Sequence, residues 1–140
     1  MTEEIQKRIE AIKAGKVPDG YKKSIVGIVP SEWQEKRLSD LLRFQNGVNA
    51  EKEKFNSGIK MISVMDILDE RPIVYDAIRG QVDIDEKALN NYSVTYGDIL
   101  FQRSSETVED AGKSNVYLDR DKTATYSGFV IRGKKIADYD

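Results

Sequence analysis

The sequence predicts an α+β domain: an irregular mixed sheet of short strands with short helices, preceded by an amphipathic N-terminal helix. Three observations predict it. Apolar residues run only briefly, as in Ile59 to Ile67, Ile99 to Phe101 and Thr125 to Arg132. Helical spacing is equally brief outside residues 2–14. Two polar stretches, 48–58 and 102–115, separate the apolar runs. Loops beyond ~12–15 residues without structure of their own are uncommon unless they bind something.

With 140 residues, the chain is one domain or part of one. It is long enough to bury a single core and too short for a TIM barrel. Cysteine and histidine are both absent. Their absence excludes disulfides, zinc fingers, thiol chemistry, Ser-His-Asp catalysis and imidazole metal sites. No apolar run approaches the ~20 residues of a transmembrane helix. The mixed-charge start MTEEIQKRIEAIK is unlike a signal peptide. A soluble cytoplasmic protein is the expectation. The net charge of −2 hides an uneven distribution: residues 1–60 hold 12 Lys and Arg against 9 Asp and Glu, and residues 61–98 hold 3 against 8. Such a chain is not a uniformly basic nucleic-acid binder, although its outer segments can still present a positive face.

Taken in order, Ile5, Ile9 and Ile12 fall at i, i+4 and i+7, which predicts a helix over 2–14 with Thr2 as cap and Gly15 as stop. Residues 15–30 are rich in glycine and proline and read as an irregular lead-in with a short strand at Ile25–Val29. Trp33, the sole tryptophan, is expected to anchor the core. Ser39 can cap a short helix carrying Leu41 and Leu42. Gln45-Asn46-Gly47 should end it in a turn, Asn-Gly being a strong turn signal. Ile59 to Ile67 reads as a buried strand, Ile73 to Tyr75 as an edge segment, and Glu86 to Leu89 as a turn of helix. Gly97-Asp98 turns into a strand at Ile99 to Phe101. Val116 to Leu118 and Thr125 to Arg132 are the last strands, with Tyr117, Tyr126 and Phe129 expected in the core.

Two catalytic patterns were weighed. Gly112-Lys113-Ser114 resembles the end of a phosphate-binding loop, but the required upstream glycine is Thr107. Asp85-Glu86-Lys87, with Asp66 or Asp69 upstream, fits part of a Mg²⁺-dependent nuclease core. Both patterns are common in ordinary loops. The polar loops carry more. Asn and Gln pair two-pronged with adenine, Arg and Lys with guanine, and Ser and Thr reach bases or phosphates. The first loop offers Gln45, Asn46, Asn49, Lys52, Lys54 and Asn56; the second offers Gln102, Arg103, Ser104, Ser105, Thr107, Lys113, Ser114 and Asn115.

Several segments, in order, resemble a known family. Lys13 to Pro18, Gly27 to Pro30, Pro30-Ser31-Glu32-Trp33 and Leu38-Ser39-Asp40-Leu41 are similar to the start of a target recognition domain in the specificity subunit of type I restriction–modification enzymes. Asp66-Ile67, Gly97 to Phe101 with Arg103-Ser104, and Tyr126 to Arg132 fit its later parts. The resemblance covers essentially the whole chain. It implies a type I restriction DNA-specificity fold and a non-catalytic subunit without cofactor. Its partners would be double-stranded DNA and the modification and restriction subunits of the same system, and the assembled complex would carry the methyltransferase and nuclease activities. It also implies residues 1–30 as N-terminal helix and lead-in and 31–140 as a recognition domain, incomplete at its C-terminus. An uncovered sheet edge in such a domain would invite self-association. By position, the loops after Gly47 and after Phe101 would approach the major groove. The expected DNA contacts are Gln45, Asn46, Lys52, Lys54, Gln102, Arg103, Ser104, Ser105 and Lys113. Arg103 leads as base reader, with Lys52, Lys54 and Lys113 on phosphates. A small Mg²⁺-dependent nuclease and an interaction module without DNA affinity remain the alternatives.

Overall fold

The computed structural model describes residues 1–139. The chain divides into two compact units, one over Met1–Arg37 and one from Leu38 onward. In the first unit, α1 spans Glu3–Lys13 with Thr2 as its N-cap. Glu3 and Glu4 lie in the first turn and pair with Lys7 and Arg8 one turn on. No residue of α1 is buried, and the Ile5–Ile9 stripe stays on the surface. The strands β1 (Tyr21–Ser24) and β2 (Gly27–Pro30) form an antiparallel hairpin. The expected strand at Ile25–Val29 is therefore split, with Ile25 and Val26 exposed at the hairpin tip. Gly27, at a φ of +122°, supplies the conformation that the tip requires. Trp33 is 61% exposed, so it does not anchor a core. A unit of 37 residues has no interior deep enough for an indole; Trp33 lies beside Ile25, Val26 and Val29 of the hairpin.

In the second unit, α2 (Leu38–Leu41) runs directly into β3 (Leu42–Asn46). A 3₁₀ turn at Lys52–Lys54 leads into β4 (Phe55–Ile62), then α3 (Val64–Leu68), β5 (Gly80–Val82) and α4 (Glu86–Asn91). The chain continues through β6 (Ile99–Gln102), β7 (Ser114–Val116), β8 (Thr125–Tyr126) and β9 (Val130–Lys135). Four strands form an antiparallel sheet in the order β3-β9-β6-β7. Three form a mixed sheet in the order β5-β4-β8, with β4 and β8 parallel. The α+β class read from the sequence is what the chain adopts. Among the described residues, no helix is long and apolar enough to cross a membrane.

Four expected elements are differently drawn, each for a local reason. Gln45 and Asn46 belong to β3, and no turn follows them. Gly47 is a packing glycine: a Cβ there would overlap the Ser127 carbonyl oxygen. Leu42 belongs to β3, where it is buried. The run Ile59 to Ile67 breaks at Ser63, whose backbone N–H donates to the Asp66 carboxylate at 2.8 Å and starts α3. Thr125 to Arg132 is two strands, because the chain steps from one sheet to the other through Ser127, Gly128 and Phe129. That step places Phe129 outside, 69% exposed, instead of in the core.

The core lies in this second unit. Ile62, Ile78, Val94, Leu100, Tyr117 and Tyr126 are essentially inaccessible to solvent. Each buried phenol finds a carbonyl: Tyr117 donates to Lys122 O at 2.7 Å, and Tyr126 lies 3.2 Å from both Gln45 O and Asn46 O. Burying an aromatic or leucine side chain of this size contributes about 2–3 kcal/mol.

Two outcomes are expected. Gly47→Ala should destabilise the chain by roughly 1–3 kcal/mol through overpacking; an unchanged urea midpoint would contradict the close contact with Ser127. Trp33 fluorescence in the native chain should be red-shifted and readily quenched by acrylamide, whereas a blue-shifted, protected emission would place the indole in an interior.

Candidate nucleic-acid interface

The two polar loops start from the same structural seam. The first leaves β3 at Gly47, where Val48 donates its N–H to Tyr126 O and accepts from Gly128 N–H, both at 2.9 Å. The second leaves β6 at Arg103, whose N–H donates to Phe129 O at 3.1 Å. The Arg103 guanidinium reaches the same turn, with Nη1 donating to Gly128 O at 2.9 Å. Asn49 flanks the other side: a Cβ on Gly128 would collide with Asn49 Oδ1. The turn Ser127–Phe129 thus lies between the roots of both loops. Rigid strands hold the roots, which is how loops acquire defined geometry.

The candidate residues occupy different settings along these loops. Gln45 faces inward across the sheet, where its Oε1 accepts from Arg132 Nη2 at 2.7 Å. Asn46 is exposed at the end of β3, and Lys52 and Lys54 are exposed on the 3₁₀ turn. Gln102 folds back, its Nε2 donating to Ser104 O at 3.0 Å, while its Oε1 is buried without a hydrogen-bond partner. Ser104 and Arg103 are exposed. Ser105 Oγ donates to Thr107 O, which folds the second loop on itself. Lys113 closes that loop, with its carbonyl accepting from Gln102 N–H and its ammonium 2.6 Å from Asp110. The structure therefore brings Arg103 to the seam, keeps Lys113 across the hairpin from Gln102, and sends Gln45 into the sheet. Phe129 and Asn49 also stand at the seam. Phe129 looked like a core residue by strand spacing, and only the sheet-to-sheet step reveals its position.

Electrostatically the first loop is balanced and the second carries one more acidic than basic side chain. Residues 103–113 set Arg103 and Lys113 against Glu106, Glu109 and Asp110; residues 48–58 set Lys52 and Lys54 against Glu51 and Glu53. A groove of about 560 Å³ beside the first loop is lined by Lys54 but also by Glu51, Asp83 and Asp85, a poor set for a phosphate.

The carboxylates of the nuclease alternative have structural duties. Asp85 is the N-cap of α4 and accepts from Ala88 N–H at 2.7 Å. Asp66 accepts from Ser63 at the start of α3 and from Arg79 N–H at 3.3 Å. Hydrogen bonds from Arg71 hold the Asp69 carboxyl down to about 2. Among the described residues, no group of three or more acidic side chains is placed to hold a metal ion. Gly112-Lys113-Ser114 leads into β7 and not into a helix, so the phosphate-loop geometry is not formed.

The second unit thus sets two polar loops on one turn between its sheets. No family model matches the chain. Over 100 residues it is 28% identical to a protein of Methanocaldococcus jannaschii named as the specificity subunit of the type I restriction enzyme MjaX. The matched stretch takes in 71% of this chain and 23% of that protein, so the chain spans about a quarter of its relative's length. The resemblance drawn from the ordered motifs is thus matched by likeness to a type I specificity subunit.

The seam also carries a pH prediction. Burial, above all, pushes the Tyr126 phenol up to about 12 from an ordinary value of 10.0. A pKa raised in the folded state contributes stability that is complete below pH 10 and is lost as the pH rises toward 12. The urea midpoint should therefore fall across that window. Tyr126→Phe should flatten the fall, leaving the part due to Tyr117, which burial also shifts upward. Identical profiles for the two proteins would show that Tyr126 does not titrate differently on folding.

Proposed function

We propose that this chain carries a DNA-recognition domain of a type I restriction–modification specificity subunit. It reads one half-site and directs the modification and restriction subunits to it, without catalytic residues or a cofactor of its own, and it works in the cytoplasm. The observation that carries the reading is the likeness to a type I specificity subunit over 71% of the chain. The convergence of both polar loops on the Ser127–Phe129 turn supports it. Asn46, Arg103, Ser104 and Ser105 are the base-side candidates, and Lys52, Lys54 and Lys113 the phosphate-side ones. Gln45 and Gln102 lie at the loop roots and act through the shape they give those roots.

The loop charge has a consequence under this reading. Neutralising phosphates supplies most non-specific affinity, and these loops have no surplus positive charge with which to do it. The domain should therefore discriminate better than it grips, with the modification subunit contributing much of the affinity. Specific base contacts are worth about 1–3 kcal/mol each.

Selection from a randomised duplex pool at low salt, with and without Mg²⁺, tests the reading. Enrichment of a short motif without cleavage is expected. Mg²⁺-dependent cleavage would replace it with the nuclease, and no enrichment, even with a modification subunit present, would leave an interaction module. Arg103→Ala should relax preference at one base pair and cost roughly 1–3 kcal/mol; an unaltered motif would remove Arg103 from the base contacts. Lys52→Ala should weaken all duplexes alike and lower the salt slope by about one unit, and an unchanged slope would place Lys52 off the phosphate backbone.

A further inference from the structure

Phe129 is a large apolar side chain left 69% exposed between two completely buried residues, Tyr126 and Val130. Its backbone is nevertheless held fast. The N–H donates to Ser127 Oγ at 3.2 Å, and the carbonyl accepts from Arg103 N–H at 3.1 Å. A fixed backbone under an exposed ring presents apolar surface in one place at little ordering cost. Two other side chains lie beside the same turn. The Arg103 guanidinium is tied to Gly128 O through one nitrogen, which leaves other donors to point elsewhere. The exposed Asn49 carboxamide lies close against Gly128, where a Cβ would meet its Oδ1.

These three chemistries match what base pairs display in the major groove. A guanidinium fits guanine O6 and N7, a carboxamide fits adenine N6 and N7, and an apolar side chain fits the thymine C5-methyl group. We propose that Phe129 contacts a thymine methyl in the major groove of the recognised duplex, between the bases faced by Arg103 and Asn49. The proposal rests on the DNA-recognition reading above and adds to it a specificity residue outside the two loops. The minor groove fits less well: there A·T and T·A pairs show the same acceptors and no methyl.

Replacing each thymine of the selected motif by deoxyuridine, one at a time, removes only the methyl group. The native chain should lose about fourfold in affinity at one thymine, the worth of one buried methyl-sized group. Phe129→Ala should show the same loss on the unmodified duplex and no further loss at that deoxyuridine. Because the ring is exposed, this variant should keep the native circular dichroism spectrum and urea midpoint. Phe129→Leu, which retains an apolar side chain, should restore part of the sensitivity. If the native chain selects a motif but no methyl matters, or if Phe129→Ala remains equally sensitive to the deoxyuridine, the inference is overturned and the DNA reading stands. A uniform loss by Phe129→Ala on every duplex would also overturn it. If no motif is selected even with a modification subunit present, the DNA reading fails and takes the inference with it.

Discussion

A buried positive charge has to be answered, and in this fold the answer to Arg132 organises the rest. Arg132 is only 5% exposed, on β9 in the interior of the four-stranded sheet. An isolated guanidinium there would be strongly destabilising. Its Nη1 and Nη2 donate to Ser93 O and to Gln45 Oε1, its Nε is buried without a hydrogen-bond partner, and it stands 5.3 Å from the centre of the Tyr126 ring. One side chain thus ties β3, the segment leading to Val94 and the end of β8. Tyr126 completes the arrangement by bonding to the backbone at Gln45 and Asn46. The geometry of both loop roots follows from a polar network inside the domain.

The same network explains the behaviour of the seam. With Tyr126 locked from below and Val130 buried, the three residues between them must cross from one sheet to the other in a tight turn. That turn has its own hydrogen bonds to Val48 and Arg103, so the two loops share one fixed reference. Loops placed by a common backbone turn keep their spacing even when their sequences change.

Much of the fold was legible locally. The isoleucine spacing and Thr2 announced α1, the turn of helix read at Glu86 to Leu89 announced α4, and Gly97-Asp98 announced the start of β6. What was illegible depended on partners distant in sequence. Asn46-Gly47 has the composition of a turn, but Gly47 is needed because Ser127 lies against it. Gln45 looked like a surface amide, yet its partner Arg132 is 87 residues away. Phe129 follows Tyr126 by three residues, an odd step that strand alternation sends to the opposite face, and the change of sheet between them leaves its ring in solvent. The polar composition of the loops marked them and Arg103 as candidates, and their positions beside the Ser127–Phe129 turn could not be read from composition. The exposure of Phe129 was hidden too, since nothing in an apolar letter tells whether a strand will continue.

The topology of the four-stranded sheet also governs how the chain can be assembled in time. β9, at Val130–Lys135, is the strand that joins β3 to β6. As the polypeptide emerges from a ribosome, β3 and β6 are made well before the strand that must lie between them. The parallel partner of β4 likewise arrives only at Thr125–Tyr126. Pairings this distant in sequence place the domain among the slower-folding topologies. The nascent chain must carry Leu42 and Leu100, both destined for the interior, in solvent until β9 has emerged.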